Sequence, residues 1–543
     1  MATVVNFFGK KCIEPGSYAA MKYTPHSTVN GAEFGNVMII DTGLSLEDNN
    51  ADGAAVEFGG GAGVNTSNVS AGGVKSVYDF ESINDFNDFM GGGLVVDIAR
   101  KIFTPRDGVA GAPKLYYVRA ANTKPADLKI NNGDITLTCK NEGNVGNGIV
   151  DTVNSKLQVG YSAKIVAGVI DSHKFKLIIQ KGTYAGTDKD GETFSGNAWG
   201  ECEPIIIYES SEFLTTDELY NEMIYNVNVK AEFEINLVNS GTLSLQAETL
   251  SSNGVTAFNT TYYSEVLEAI EELDVTFFLA TNLKIDEATD SDTNGKLFTF
   301  LKTKAKYTEF MAVGCGGSKS DLFTSPYSSK DVAMYYGDSQ VVAVHGRPVV
   351  PRKDGNGVKT LYSIYLAADV IGLNAGAAPQ TPLTFKRLGF AAFEYDLTKS
   401  EREEALKYGI MHTRNVNGYW CVNQGINTIQ WPNNLQTLDQ NGNSFELSVE
   451  LIKAQMNKEL TIDAQNRFTG LTAAQASPAA VKAFTESKLS GFVAEQGADN
   501  LIIRWRNVVV TANNGDYTIY YDFVPNVPVN KTFFVGNVLD FTL

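Results

Sequence analysis

The sequence predicts a multidomain α/β (α+β) protein: a mixed α/β core, a β-rich domain inserted into it, and extended β-arms at the N- and C-termini. Three observations carry this expectation. The 543 residues exceed what one ordinary hydrophobic core organises, so two to four domains are expected. Helix-spaced apolar residues alternate with short apolar runs on both flanks, whereas the segment between them has β-type runs separated by Gly and Asp turns. Both ends carry strand-like apolar stretches set off by turn residues. The expected division is 1–25 as an N-terminal arm, 26–124 as the first part of the core and 125–250 as the inserted β-rich domain. It continues with 251–430 as the second, α/β part of the core, 431–516 as a C-terminal domain and 517–543 as a C-terminal β-arm.

In chain order, Val4, Val5, Phe7 and Phe8 form a short apolar run that Lys10, Lys11 and the Pro15-Gly16 turn separate from the rest. Val37 to Ile40 has the composition of a buried strand, and the polar, glycine-rich 41–73 stretch reads as a surface loop. Ile83, Phe86 and Phe89, then Val95, Ile98 and Ile102, have helical spacing interrupted at Gly91-Gly92-Gly93, and they lead into a strand at Leu115 to Val118. In the inserted segment, Ile135 to Cys139, Phe175 to Ile179 and Ile205 to Tyr208 read as strands. Beyond it, Val266, Leu267, Ile270 and Leu273 are helix-spaced, and Val275 to Leu279, Phe310 to Val313 and Val341 to Val344 are strand-like. Helical patterns between those strands predict a parallel βαβ layer. Thr398 with Glu401 forms a capping box for a helix ending near Gly409. Ser477-Pro478 starts another helix, with Val481, Phe484, Leu489, Phe492 and Val493 as its apolar face and Gly497 as its expected end.

The C-terminus alternates twice: Tyr517, Ile519, Tyr521 and Phe523, then Phe533, Val535, Leu539, Phe541 and Leu543, each set predicting a strand. Burying these nine side chains does not offset the conformational entropy of ordering the 27 residues from Tyr517 to Leu543. Such an arm has to lie on its own domain or on another subunit, and exposed strand edges are templates for pairing between chains.

Composition narrows the function classes. The net charge of -18, from 44 Lys and Arg against 62 Asp and Glu, opposes the phosphate attraction behind generic nucleic-acid binding, so no direct nucleic-acid partner is expected. The five cysteines, Cys12, Cys139, Cys202, Cys315 and Cys421, are scattered, odd in number and contain no C-x-x-C pair, which fits a reducing compartment. There is no signal-peptide pattern at the start and no apolar run long enough to span a bilayer, so cytosolic synthesis without membrane insertion is expected.

No chemistry-bearing constellation emerges, and neither a catalytic residue, a cofactor nor a metal is expected. Gly59 to Gly63 lacks the Lys-Ser/Thr of a phosphate loop and reads as a flexible loop. Asp290 to Gly295 matches the first half of an EF-hand loop, but Leu301 stands where a bidentate Glu is required, so an Asp-rich turn is the better account. His26, His173, His345 and His412 have no second ligand at helical spacing. Trp505, between Arg504 and Arg506, is better explained as a strand aromatic than as a ligand platform.

Several segments, taken in order, resemble the contractile tail sheath family. Glu14-Pro15-Gly16-Ser17-Tyr18 resembles the family's proline-glycine-valine-tyrosine start with serine for valine, and Ile83 to Gly91, Ala99 to Phe103 and Leu115 to Arg119 resemble its next blocks. Lys140 to Asn147 resembles a glycine-asparagine motif with Val145 in place of tryptophan. Leu361 to Leu373, Pro379 to Pro382, Leu397 to Gly409 and Ile410 to Thr428 follow, the last with Asn427 in place of arginine, and Tyr517 to Leu543 resembles the family's ending. Each block is loose alone; their order over nearly the whole chain carries the specificity.

The resemblance implies a structural protein of a virion tail, not an enzyme. It implies self-assembly into hexameric rings stacked as a helical polymer around a tail tube protein, with baseplate and tail terminator or neck proteins as further partners. Contraction then drives the tube through a host envelope for genome ejection. The arm residues Val4, Val5, Phe7, Phe8, Tyr517, Ile519, Tyr521, Phe523, Phe533, Val535, Leu539, Phe541 and Leu543 are the expected inter-subunit contacts. Sheaths of tailocins and injection devices share these features. A virion-borne carbohydrate- or host-binding module, resting on the β-rich segment 128–245, is the alternative from another class; a cytosolic α/β hydrolase or transferase lacks a recognisable catalytic set.

Overall fold

The structure is a computed structural model. It describes residues 5–7, 10–12, 34–41, 77–90, 94–119, 121–142, 147–150, 157–182, 185–187, 193–195, 204–253, 255–258, 266–267, 270, 273–280, 297–300, 309–315, 319–324, 328–351, 358–430, 443–468, 471–472, 475–493, 501–513 and 516–527. The glycine-rich 59–63 stretch, the Asp-rich 290–295 turn, His26 and Gly497 lie outside the described residues.

Among the described residues, the central sheet has eight strands in the order Tyr419–Val422, Ile410–Val416, Val341–His345, Phe310–Cys315, Phe277–Ala280, Val37–Asp41, Leu115–Arg119 and Tyr78–Phe80. The six inner strands are parallel, and one antiparallel strand closes each edge. Strands from before and after the inserted segment are neighbours here, since Val37–Asp41 pairs with Phe277–Ala280. The two flanks of the chain therefore build one core.

A parallel sheet needs cover on both faces, which explains why these strands are unbroken apolar runs. Val37, Ile39, Phe277, Leu279, Phe310 and Ala312 face one hydrophobic layer. Their neighbours Met38, Ile40, Phe278, Ala280, Met311 and Val313 face the other. On the first face lie the helices Leu94–Phe103 and Ser363–Ala375, and every residue of the latter is buried. Gly372 lets the two helices touch, because a Cβ there would sit 2.4 Å from Lys101 O. Asp369, wholly buried at this crossing, accepts a hydrogen bond from Gly389 N–H at 2.9 Å and lies 3.8 Å from Lys101 Nζ. Lys101 Nζ also donates to Gly389 O and sits over the Phe390 ring. Burial outweighs these attractions and raises the Asp369 carboxyl to about 7.

The helices follow their local signals. Ile83–Met90 and Leu94–Phe103 flank the triple glycine. Thr398 and Glu401 form the expected capping box of Lys399–Lys407, after which Gly409 takes a φ of 74°. The helix beginning at Pro478 stops at Phe492, capped by Val493, earlier than Gly497.

The inserted segment contributes two four-stranded antiparallel sheets. One has the order Phe233–Leu237, Ile135–Glu142, Ala121–Ile130, Val255–Phe258, and the other Ile205–Glu209, Phe175–Lys181, Tyr161–Ala167, Gln246–Leu250. Their inward residues, including Leu128, Leu137, Ile165, Ile179 and Phe233, share one core. Pairing of Phe258 with Ala121 and Val255 with Lys124 brings the two ends of the insertion together as a stem. Two helices, Thr216–Met223 and Val227–Glu232, were not among the expected elements. The first carries a Thr215/Glu218 capping box that is readable in the sequence.

The C-terminal layer packs the helices Leu447–Phe468 and Pro478–Phe492 on a hairpin of Ile502–Asn513 and Asp516–Pro525. Leu447, Leu451 and Ala454 belong to the central core, whereas Ile452 and Met456 belong to the hairpin's core, so one helix serves both.

Candidate assembly surfaces

The expected arm residues divide into three groups. Val5 and Phe7 lie on the strand Val5–Phe7, which pairs antiparallel with Lys10–Cys12 of the same chain. Tyr517, Ile519, Tyr521 and Phe523 lie on Asp516–Pro525. Val4, Phe8, Phe533, Val535, Leu539, Phe541 and Leu543 lie outside the described residues.

The second group departs from the expectation of an extended arm beginning at Tyr517. Its strand folds back on Ile502–Asn513 in the same chain, with Tyr517 opposite Ala512, Ile519 opposite Val510 and Phe523 opposite Trp505. The reason is local burial. Ile519, Tyr521, Phe523 and Trp505 pack against a core that contains Ile452, Met456, Leu489 and Phe492. The two preceding helices thus supply apolar cover that the strand lacks by itself, although these four side chains are only partly buried. Tyr521 Oη donates to Asn457 Oδ1 at 3.2 Å, and burial raises its phenol pKa. The boundary expected at 516/517 therefore falls inside a hairpin.

On the opposite face, Tyr520 is 59% exposed and its cross-strand neighbour Val509 is 51% exposed. A register shift between Arg506 and Val509 includes Asn507 at φ 56°, and Asp522 accepts hydrogen bonds from Asn507 Nδ2 at 2.6 Å and Arg506 Nε at 3.2 Å. Among the described residues the hairpin forms a two-stranded sheet, so each strand has one edge without a strand partner. Unpaired strand edges are templates for a further strand, and the exposed Tyr520 and Val509 leave one face of the hairpin apolar.

At the carboxyl ends of the parallel strands, His345 and His412 are neighbours in register and both are buried. Ser329 Oγ lies 2.7 Å from His345 Nδ1, and Tyr395 Oη lies 2.6 Å from Nε2. Burial lowers both imidazoles to about 4, and burial pushes Cys315 up to about 12. His345 and His412 are thus core histidines, and burial disfavours their charged forms. Among the described residues, no group of three His, Cys, Asp or Glu side chains is arranged to hold a metal ion, and no helix is long and apolar enough to cross a membrane.

No family model and no curated protein matches the sequence. Solved structures do. A sheath tail protein of Desulfitobacterium hafniense superposes with a TM-score of 0.56 at 14% identity, over 94% of this chain and 100% of that one. A sheath tail protein of Listeria innocua gives a TM-score of 0.50 at 13% identity, over 91% of this chain and 96% of that one. At such identities the likeness is one of architecture, and it extends over more than nine tenths of this chain: the chain has the fold of these two sheath tail proteins.

Proposed function

We propose that this chain is a structural tail sheath protein. It assembles as hexameric rings stacked into a helical polymer around an inner tail tube, and its contraction drives that tube through a host envelope. Baseplate and tail terminator or neck proteins are its further partners, and the virion tail or a related injection device is its location. The observation that carries the reading is the shared fold over 94% of this chain and the whole of a sheath tail protein. The hairpin's uncovered edges and its exposed Tyr520 and Val509 support it from the residues upward.

The site division follows from the hairpin. Tyr517, Ile519, Tyr521 and Phe523 form a seat anchored in their own chain. Val4, Val5, Phe7 and Phe8 at one end, and Phe533, Val535, Leu539, Phe541 and Leu543 at the other, are the tethers that pair with neighbouring subunits. The insertion at 125–250 faces away from the tube, and the 26–124 and 251–430 segments form the rigid body that moves during contraction.

A chain ending at Val527 tests this. It keeps the whole hairpin, so it is expected to stay folded and to sediment as a monomer under conditions where the full chain pellets as polymer. Polymer formed by the shortened chain at the same concentration contradicts the tether assignment.

A further inference from the structure

At one edge of the central sheet, Tyr419–Val422 is closed off by residues 385–388. Phe385 N–H donates to Val422 O at 2.9 Å, Val422 N–H to Lys386 O at 3.0 Å and Leu388 N–H to Trp420 O at 2.9 Å. Arg387 faces Cys421 across this junction, and Cys421 faces Arg414 on the adjoining strand. The three residues form one cross-strand row, so their side chains share a sheet face, and Phe385 and Tyr419, two positions away, share it too.

The side chains on that face are pre-arranged. The Arg387 guanidinium lies 4.1 Å from the centre of the Tyr419 ring, and that of Arg414 lies 5.7 Å from the Phe385 ring. Phe385 and Tyr419 are each 52% exposed. Phe385 holds a φ of 59°, a conformation that bulky side chains avoid, secured here by its bond to Val422. Asp396, whose charge reaches Cys421, is taken up by Arg402 at 3.6 Å. Among the described residues neither Arg387 nor Arg414 has a carboxylate partner, although acidic residues outnumber basic ones 62 to 44 along the chain.

We propose that the aromatic-backed pair Arg387 and Arg414 is a docking surface for carboxylates on a second copy of this chain. The inference rests on the self-assembly proposed above. Copies with a net charge of -18 repel one another, and cations without a carboxylate partner of their own offset that repulsion where they meet a neighbour's excess carboxylates. Guanidinium groups already held over aromatic rings lose little freedom when they take a carboxylate in a forked hydrogen-bonded pair. The same net charge disfavours a polyanion such as nucleic acid as the occupant.

The test uses the full chain and its R387E/R414E variant, with the critical concentration for polymer formation read by sedimentation and folding read by circular dichroism and melting temperature. The expected result is unchanged folding with the critical concentration raised by roughly ten-fold or more. Should charge reversal lower the melting temperature, R387Q/R414Q replaces it, and a smaller rise is expected. Assembly of a folded variant at the wild-type critical concentration overturns the docking surface and leaves the sheath reading standing. A wild-type chain that stays monomeric throughout overturns the sheath reading and this inference together.

Discussion

Replacing Asp369 by Asn is expected to remove a pH-dependent weakness at the centre of the core. Asp369 is fully buried where Ser363–Ala375 crosses Leu94–Phe103, and its carboxyl is raised from 3.8 to about 7, first by burial and against the pull of Lys101 and the Gly389 N–H. A carboxyl raised in the folded state favours folding below its unfolded pKa, and that contribution is lost as pH rises through the folded value. The shift of about three units corresponds to about 4 kcal/mol, lost between roughly pH 4 and pH 7. Asn keeps an oxygen for the Gly389 N–H and has no proton to lose. Relative to wild type, D369N should therefore gain up to about 4 kcal/mol from acid to mildly alkaline pH, less the part that the unpaired Lys101 takes back. Hydrogen exchange of the Ser363–Ala375 amides at several pH values, corrected for the intrinsic rate, reads this difference locally. A variant and wild type whose protection differs by the same amount at every pH would refute the reasoning.

Two further outcomes follow from the same core. Gly372→Ala places a Cβ 2.4 Å from Lys101 O, a backbone atom that cannot swing aside, so the helices must separate; a loss of roughly 1–3 kcal/mol, seen as a lower melting temperature, is expected. His345 and His412 are held near 4 by burial, so folding weakens as pH falls from the ordinary histidine value toward 4, by up to about 3 kcal/mol for each imidazole. His412→Gln should flatten that acid limb in a pH series of melting temperatures, and an unaltered limb would remove His412 as a cause.

The parallel core was legible because of its physical extremity. Val37 to Ile40, Phe277 to Ala280 and Val341 to Val344 are buried on both faces, and such strands are written as continuous apolar runs. Helix ends marked by Thr398 or Ser477 were readable for the same reason: the cap is a local chemical event. The Thr215/Glu218 box was equally visible, but it stands among short β runs whose texture dominates the window. The second strand of the terminal hairpin read correctly as a strand from its alternation. In its partner Ile502–Asn513 only Trp505 read as a strand aromatic, and the strand's extent did not show, since Arg504, Arg506 and the positive-φ Asn507 break the apolar period where the register slips. The Arg387 and Arg414 pair was beyond reach, as the two lie far apart in the chain and meet only through the pairing of residues 385–388 with the Tyr419–Val422 edge.

Electron microscopy of the purified full chain at rising concentration tests the central claim most directly. The account expects hollow tubes or rings with six-fold symmetry in projection, wide enough to enclose an inner tube. Isolated single chains at every concentration, with no ring or tube at low or high salt, would contradict it.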